Sequence, residues 1–116
     1  MTTHELAHTV ATMLREGRFA EVQERYWSDD ILAVEPMGPM ARLKGREAVA
    51  KKIAYWNSTT EMHGCTVDGP FINGEDFALR LDLDVMQGQP RQTMREVVLY
   101  KTADGKIAEE HYLYAM

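Results

Sequence analysis

Between Phe77 and Tyr100 the chain reads FALRLDLDVMQGQPRQTMREVVLY, and this stretch restricts the fold more than any other. Leu79, Leu81, Leu83 and Val85 alternate with Arg80, Asp82 and Asp84. A period of two puts the aliphatic set on one side of a pleated strand and the charged set on the other, whereas a helix would scatter both. Gln87-Gly88-Gln89-Pro90 follows, with Gly88 free to take positive φ at the first central position of a two-residue turn. With Gly88 and Gln89 at the centre, Leu83 faces Met94, Leu81 faces Glu96 and Leu79 faces Val98, while Asp82 faces Arg95 on the reverse side. An ion pair across that reverse, solvated side is worth roughly 0.2 to 1 kcal/mol. Glu96 breaks the pattern: it is a carboxylate on the aliphatic side.

The 116 residues amount to one domain, residues 1–116, with enough chain for a real core. A formal charge of -5, with no Lys/Arg cluster beyond Lys51-Lys52, argues against nucleic acid as a partner. Cys65 stands alone, so no internal disulfide forms, which fits a reducing cytoplasm. No apolar run approaches the ~20 residues of a membrane span, and MTTHELAHTV at the start lacks the apolar core of a signal peptide. The expectation is a cytoplasmic protein with no membrane partner.

The remaining elements follow from local patterns. Thr2 and Glu5 make a capping box ahead of Leu6, Val10, Met13 and Leu14 at helical spacing, up to Gly17. Phe19, Val22 and Tyr26 mark a second short helix ending near Trp27, with Ser28-Asp29-Asp30 as a break. Ile31 to Glu35 is a short strand closed by Pro36, and 37–44 an irregular loop. Gly45-Arg46-Glu47 opens a third helix with Val49, Ile53 and Trp56 on one stripe. From Thr60 the chain is nearly all strand: Glu61 to Val67, a bend or bulge at Asp68-Gly69-Pro70, a turn at Asn73-Gly74, the central hairpin, a turn at Asp104-Gly105 and a last strand from Ile107 to Tyr114. This order is an α+β layout in which a curved antiparallel sheet buries its apolar face against the helices, leaving a hollow of the kind that takes small ligands.

Several strings in this order, Arg15-Glu16-Gly17-Arg18-Phe19, Ala33-Val34-Glu35-Pro36, Gly45-Arg46-Glu47, Asp68-Gly69-Pro70 and Asp104-Gly105-Lys106-Ile107, are spread along nearly the whole chain. In them the chain resembles the SnoaL-like and ketosteroid-isomerase-like branch of the nuclear-transport-factor-two-like superfamily. The resemblance implies a cone-shaped, cystatin-like fold, a mostly apolar pocket for a small hydrophobic or polyketide-like carbonyl compound, no organic cofactor and no metal, and a homodimer formed through the outer sheet face, where Asp82 and Arg95 would lie. In the family's isomerases a carboxylate just before a proline at the end of the first strand is the general base, and Glu35 holds that place. Their second carboxylate stays protonated and donates a hydrogen bond to the developing enolate. Ungapped counting from the last turn puts Val97 there, and one residue of difference in the hairpin puts Glu96 there. The second register keeps Arg80, Asp82, Asp84 and Arg95 in water, which decides for Glu96. The tyrosine that those isomerases carry in the first helix has no match near Val10. The implied activity is an isomerase or cyclase moving a proton next to a carbonyl, the alternative being a non-catalytic ligand-binding or dimerisation module.

Other side chains are candidates by type and position. His63 shares one side of its strand with Cys65 and Val67; the Asp-Gly-Pro break leaves open whether that side looks into the hollow, where His63 would be a further acid/base, or whether it is an ordinary edge histidine. Tyr55, Trp56, Leu81, Leu83, Met94, Tyr112 and Tyr114 supply an apolar ligand lining, or simply core. If the tyrosines of the last strand face inward, His111 points out. Cys65 has no activating cation nearby in sequence and reads as a small core residue. His4-Glu5-Leu6-Ala7-His8 spells the H-E-x-x-H string of zinc peptidases, but only three residues precede it, and it reads as coincidence.

Overall fold

The computed structural model describes residues 1–88 and 90–114. Among these lie α1 (Thr3–Arg15), α2 (Phe19–Tyr26), β1 (Trp27–Val34), β2 (Arg42–Lys44), α3 (Arg46–Thr59), β3 (Glu61–Asn73), β4 (Asp76–Met86), β5 (Arg91–Ala103) and β6 (Lys106–Leu113). The strands form one sheet in the order β2-β1-β6-β5-β4-β3.

The sheet is the expected curved one, antiparallel but for a single parallel contact. From β3 to β6 the chain meanders antiparallel, but β6 then lies between β5 and β1 and runs parallel to β1. The hairpin at Asp104-Gly105 sets the direction of β6, and that direction coincides with β1. Two boundaries differ from expectation. Ser28-Asp29-Asp30 continues β1, with a register irregularity between Trp27 and Leu32 that lets Asp29 and Asp30 reach solvent. Within 37–44, Arg42–Lys44 pairs with the end of β1 as a short edge strand.

The central hairpin has the register that its polarity dictates: Leu79 lies opposite Val98, Leu81 opposite Glu96, Leu83 opposite Met94 and Asp82 opposite Arg95. Gly88 takes φ 82°; Gln89, the other expected central turn residue, lies outside the described residues. On the outer side the ion pairs do not follow the directly opposed residues. Arg91 Nη2 sits 2.6 Å from Asp84 Oδ2, and Arg80 Nε 3.6 Å from Asp82 Oδ1.

The helices grip the flanks of the inner face. α1 packs on β3 and β4, and α3 on β1 and β2. Capped as expected by Thr2 and Glu5, α1 buries Leu6, Val10 and Leu14 against Phe77, Leu79 and Val85 in one core. From its last turn Arg15 donates to the carbonyls of Val67 and Gly69 (2.9–3.2 Å), which holds the bulge between Asp68 and Phe71. Gly45, at φ 94°, caps α3, and Arg46 ties its start to the carbonyls of Trp27 and Glu24. The inner surfaces of the two middle strands, β5 and β6, therefore face the space between α1 and α3. No helix among the described residues is long and apolar enough to cross a membrane.

Candidate functional site

Strand pairing delivers an unusual set of side chains to that space. Glu96 enters from β5 beside Val98 and Tyr100, while Val97 points to the exposed outer side. The carboxyl of Glu96 is mostly buried, and burial is the main cause that pushes its pKa up to about 7, with the Glu35 charge adding to the rise and the Lys52 charge opposing it.

Glu35 follows the last residue of β1. Its backbone N–H donates to the Ala41 carbonyl at 2.7 Å, closing the Pro36-containing loop and fixing where the side chain emerges. The side chain is 24% exposed, and its Oε2 lies 3.7 Å from Lys52 Nζ.

Lys52 was not anticipated as a site residue. It projects from α3 and is only 8% exposed, with Nζ 4.7 Å above the centre of the Tyr112 ring. Among the described residues that ammonium has no hydrogen-bond acceptor. The signal was present: Lys52 falls three residues after Val49 and four before Trp56, on the very stripe that faces the core.

Glu110 is the second residue that sequence reasoning missed. Register sets it beside Tyr100 on one side and Ala33 on the other. It is buried, and it accepts from Trp27 Nε1 at 2.9 Å and from the Tyr112 hydroxyl at 2.5 Å. Burial raises its pKa, while the hydrogen bonds from Tyr112 and Trp27 act the other way. The same burial, reinforced by the Glu110 charge, drives the phenols of Tyr112 and Tyr100 well above the usual tyrosine range. Alternation from Tyr112 and Tyr114 would have turned Glu110 inward.

The remaining predicted residues divide clearly. Leu81 and Leu83 are buried in the core, while Met94, Trp56 and Tyr112 are half-buried against it. Tyr114 is half-buried too, and its hydroxyl pKa is raised by burial first and then by the charges of Glu35 and Glu96. Tyr55 is a correction: at 63% exposure it lies on the solvent side of α3, because Val49 and Lys52 occupy the inward side. His63 is another. A register irregularity between Met62 and Gly64 breaks the alternation counted back from Cys65, and His63 is exposed, with its charge acting on Asp84 of the outer side. Cys65 does face inward, and burial pushes its thiol up to about 11, which leaves it unreactive as expected. His111 hydrogen-bonds Glu109 at 2.7 Å, away from the carboxylate group. The Glu5 side chain is occupied in the capping box, while the exposed His4 and His8 rings lie tilted against each other with their centroids 4.5 Å apart.

The site therefore differs in character from the expected mostly apolar pocket. Leu81, Leu83, Met94 and Val98 form an apolar wall, but Glu96 sits within it, and Glu35, Glu110 and the Lys52 ammonium are gathered with it, three carboxyls and one ammonium in all. Two open depressions of about 350 and 420 Å³ lie elsewhere, one between α1 and α2 and one beside Asn57 and Gly88. Chemically, the arrangement offers a partly exposed carboxylate, a carboxyl that is half protonated near neutrality, and a cation with unused N–H groups.

Comparison with known proteins agrees with this architecture. Residues 1–114 match the family model of the SnoaL-like domain. A Mesorhizobium loti protein described as a SnoaL-like polyketide cyclase superposes with a TM-score of 0.94 at 43% identity, over 98% of this chain and 100% of its own. A Xanthomonas campestris protein with a cystatin-like fold gives 0.80 at 20% identity, over 100% of this chain and 92% of its own. TerC, co-crystallised with polyporic acid, gives 0.76 at 14% identity, over 97% and 91%. Among curated protein sequences there is no significant match. With a family model spanning nearly its full length and the six-stranded cystatin-like cone beneath it, the chain belongs to the SnoaL-like family.

Proposed function

We propose that the protein moves a proton on a carbon next to a carbonyl of a small, largely apolar molecule, as an isomerase or cyclase would. Glu35 is the base. Its carboxylate takes the proton, the C–H electron pair becomes a carbon–carbon double bond while the carbonyl π pair moves onto the oxygen to give an enolate, and the proton returns to the same carbon or to a conjugated one. Glu96, in its neutral form, donates a hydrogen bond to that oxygen. The observation that carries the reading is the separation of roles between two neighbouring carboxyls: Glu35 reaches solvent beside a cation, whereas burial holds Glu96 at a pKa of about 7. The apolar wall of Leu81, Leu83 and Met94 suits the hydrophobic part of such a molecule.

The test is hydrogen–deuterium exchange at the carbons flanking the carbonyl of 2-tetralone in D2O, followed by NMR. Wild-type protein accelerates exchange over buffer, and Glu35→Gln loses at least ~10²-fold of that acceleration, the usual scale for a positioned base. No acceleration by the wild type would favour a binding module. One feature favours that second reading: near fully buried Val10, where the family's isomerases carry a tyrosine, this chain has none, so one hydroxyl donor is missing.

The same proposal includes a homodimer through the outer sheet face. Val97 pairs with Leu113 there and Phe71 with Ala78, and Phe71, Leu113 and Val97 are 62%, 55% and 38% exposed. A second copy of that face would cover them. The lone half-buried cysteine accords with life in a reducing cytoplasm.

A further inference from the structure

We infer that Lys52 Nζ is the seat of a ligand oxygen, and that the ligand is an enol or phenol whose oxygen becomes charged on binding there. The inference deepens the proton-transfer reading and rests on it for the role of Glu35. It starts from an ammonium that is more than nine-tenths buried yet has no acceptor for its N–H groups among the described residues. Such a group is costly unless something accepts from it. Glu35 at 3.7 Å counters the charge, and the Tyr112 ring face at 4.7 Å adds to that, but neither takes a hydrogen bond.

The charges nearby select the class of ligand. A carboxylate ligand would arrive already negative beside Glu35 and Glu110. An enol or phenol arrives neutral. Its O–H bond then breaks, the proton passes to the Glu35 carboxylate, and the negative charge left on oxygen faces Lys52, so the net charge of the site does not change. Glu96 lies within the same electrostatic neighbourhood and supplies a second donor. Glu35, Glu96, Tyr112 and Tyr114 are the partly exposed members of the group. An enolate formed from a ketone by the proposed chemistry would place its oxygen on the same nitrogen. Lys52 would thereby supply the donor that Val10 cannot.

The test compares 2-naphthol with 2-methoxynaphthalene, which has the same rings and no proton to lose. Wild-type protein binds 2-naphthol at least tenfold more tightly, and the bound form absorbs as naphtholate at a pH where the free compound is un-ionised. Lys52→Met removes the preference and the naphtholate band, and Lys52→Arg keeps most of both. Should Lys52→Met not fold, the Lys52 Nζ signal of wild-type protein decides by NMR, shifting with 2-naphthol and not with its methyl ether. Equal binding of the two compounds, no binding of either, or a preference that survives in folded Lys52→Met would overturn the inference. A resting water on Lys52 would give the first of these results. Naphthol preference without 2-tetralone exchange would sink the catalytic reading alone; exchange with a Lys52-independent preference would sink this one alone.

Discussion

Glu96 stands directly across the sheet from Leu81, on the face that carries Leu79, Leu83 and Val98. A carboxyl in that company is more stable protonated, so folding itself raises its proton affinity. Its folded-state pKa of about 7 lies above the ordinary 4.5. The stability that Glu96 contributes is therefore complete below about pH 4.5 and is lost as pH rises through about 7. At about 1.4 kcal/mol per pKa unit the loss amounts to about 3 kcal/mol. Glu96→Gln, which cannot ionise, escapes it. The midpoint of thermal unfolding of the wild type should fall relative to Glu96→Gln between pH 5 and pH 8. Parallel curves for the two proteins would refute the buried placement.

The groups around Glu96 predict how that titration responds to substitution. Glu35 faces it from just after β1, Lys52 from α3, Cys65 from β3, Glu110 and Tyr112 from β6, Tyr114 from just after β6, and Tyr100 from its own strand. Of these, Glu35 raises the Glu96 pKa and Lys52 lowers it. Glu35→Gln should bring the Glu96 carboxyl below about 7, and Lys52→Met should take it above. Carbon NMR of the labelled side-chain carboxyl measures both. Shifts of the same sign in the two variants would mean that the charges do not converge on Glu96.

Glu110 is held by two donors from different elements, Trp27 at the start of β1 and Tyr112 on β6. Trp27→Phe preserves most of the buried ring but leaves one carboxyl oxygen without its N–H. The expected cost is about 1–3 kcal/mol, the penalty for a buried acceptor left unsatisfied. Tyr112→Phe removes the other donor at similar cost. Because both bonds serve one carboxyl, the two costs should not add in the double variant. Urea unfolding of the four proteins tests this, and strict additivity would show that the two donors act independently.

The fold was legible where side chains obey one period. Alternation in β4 and β5 specified the register to the residue, because a slip of one would bury Arg80, Asp82 and Arg95. The helix stripes, the Thr2–Glu5 cap and the Gly45 cap were equally readable. Legibility failed at irregularities. The bulge after Met62 sends His63 to the outer side, and nothing in the local residue types marks it. The parallel contact of β1 with β6 joins residues about eighty positions apart, which no local pattern encodes. Lys52 and Glu110 were hidden for a different reason: their positions were readable, but their charge suggested solvent. A buried charge is placed by its partners, and those come from Tyr112, Trp27 and Glu35 on other elements.

Val97 and Leu113 lie opposite one another on the outer side of the sheet, one residue removed from the groups of the site. With Phe71 and Leu99 nearby they make an apolar surface that a folded monomer would leave in water. A second copy covering it would remove apolar area from water at roughly 25 cal/mol per Å². Val97→Asp would put an unpaired charge into that proposed contact and should shift the protein to monomer in sedimentation velocity at tens of micromolar, where the wild type is expected to sediment as a dimer. Since Val97 points away from Glu96, the Glu96 pKa of about 7 should survive the substitution. Loss of the dimer with that titration intact would separate assembly from site. A wild type that is already monomeric would leave the outer face without the proposed partner.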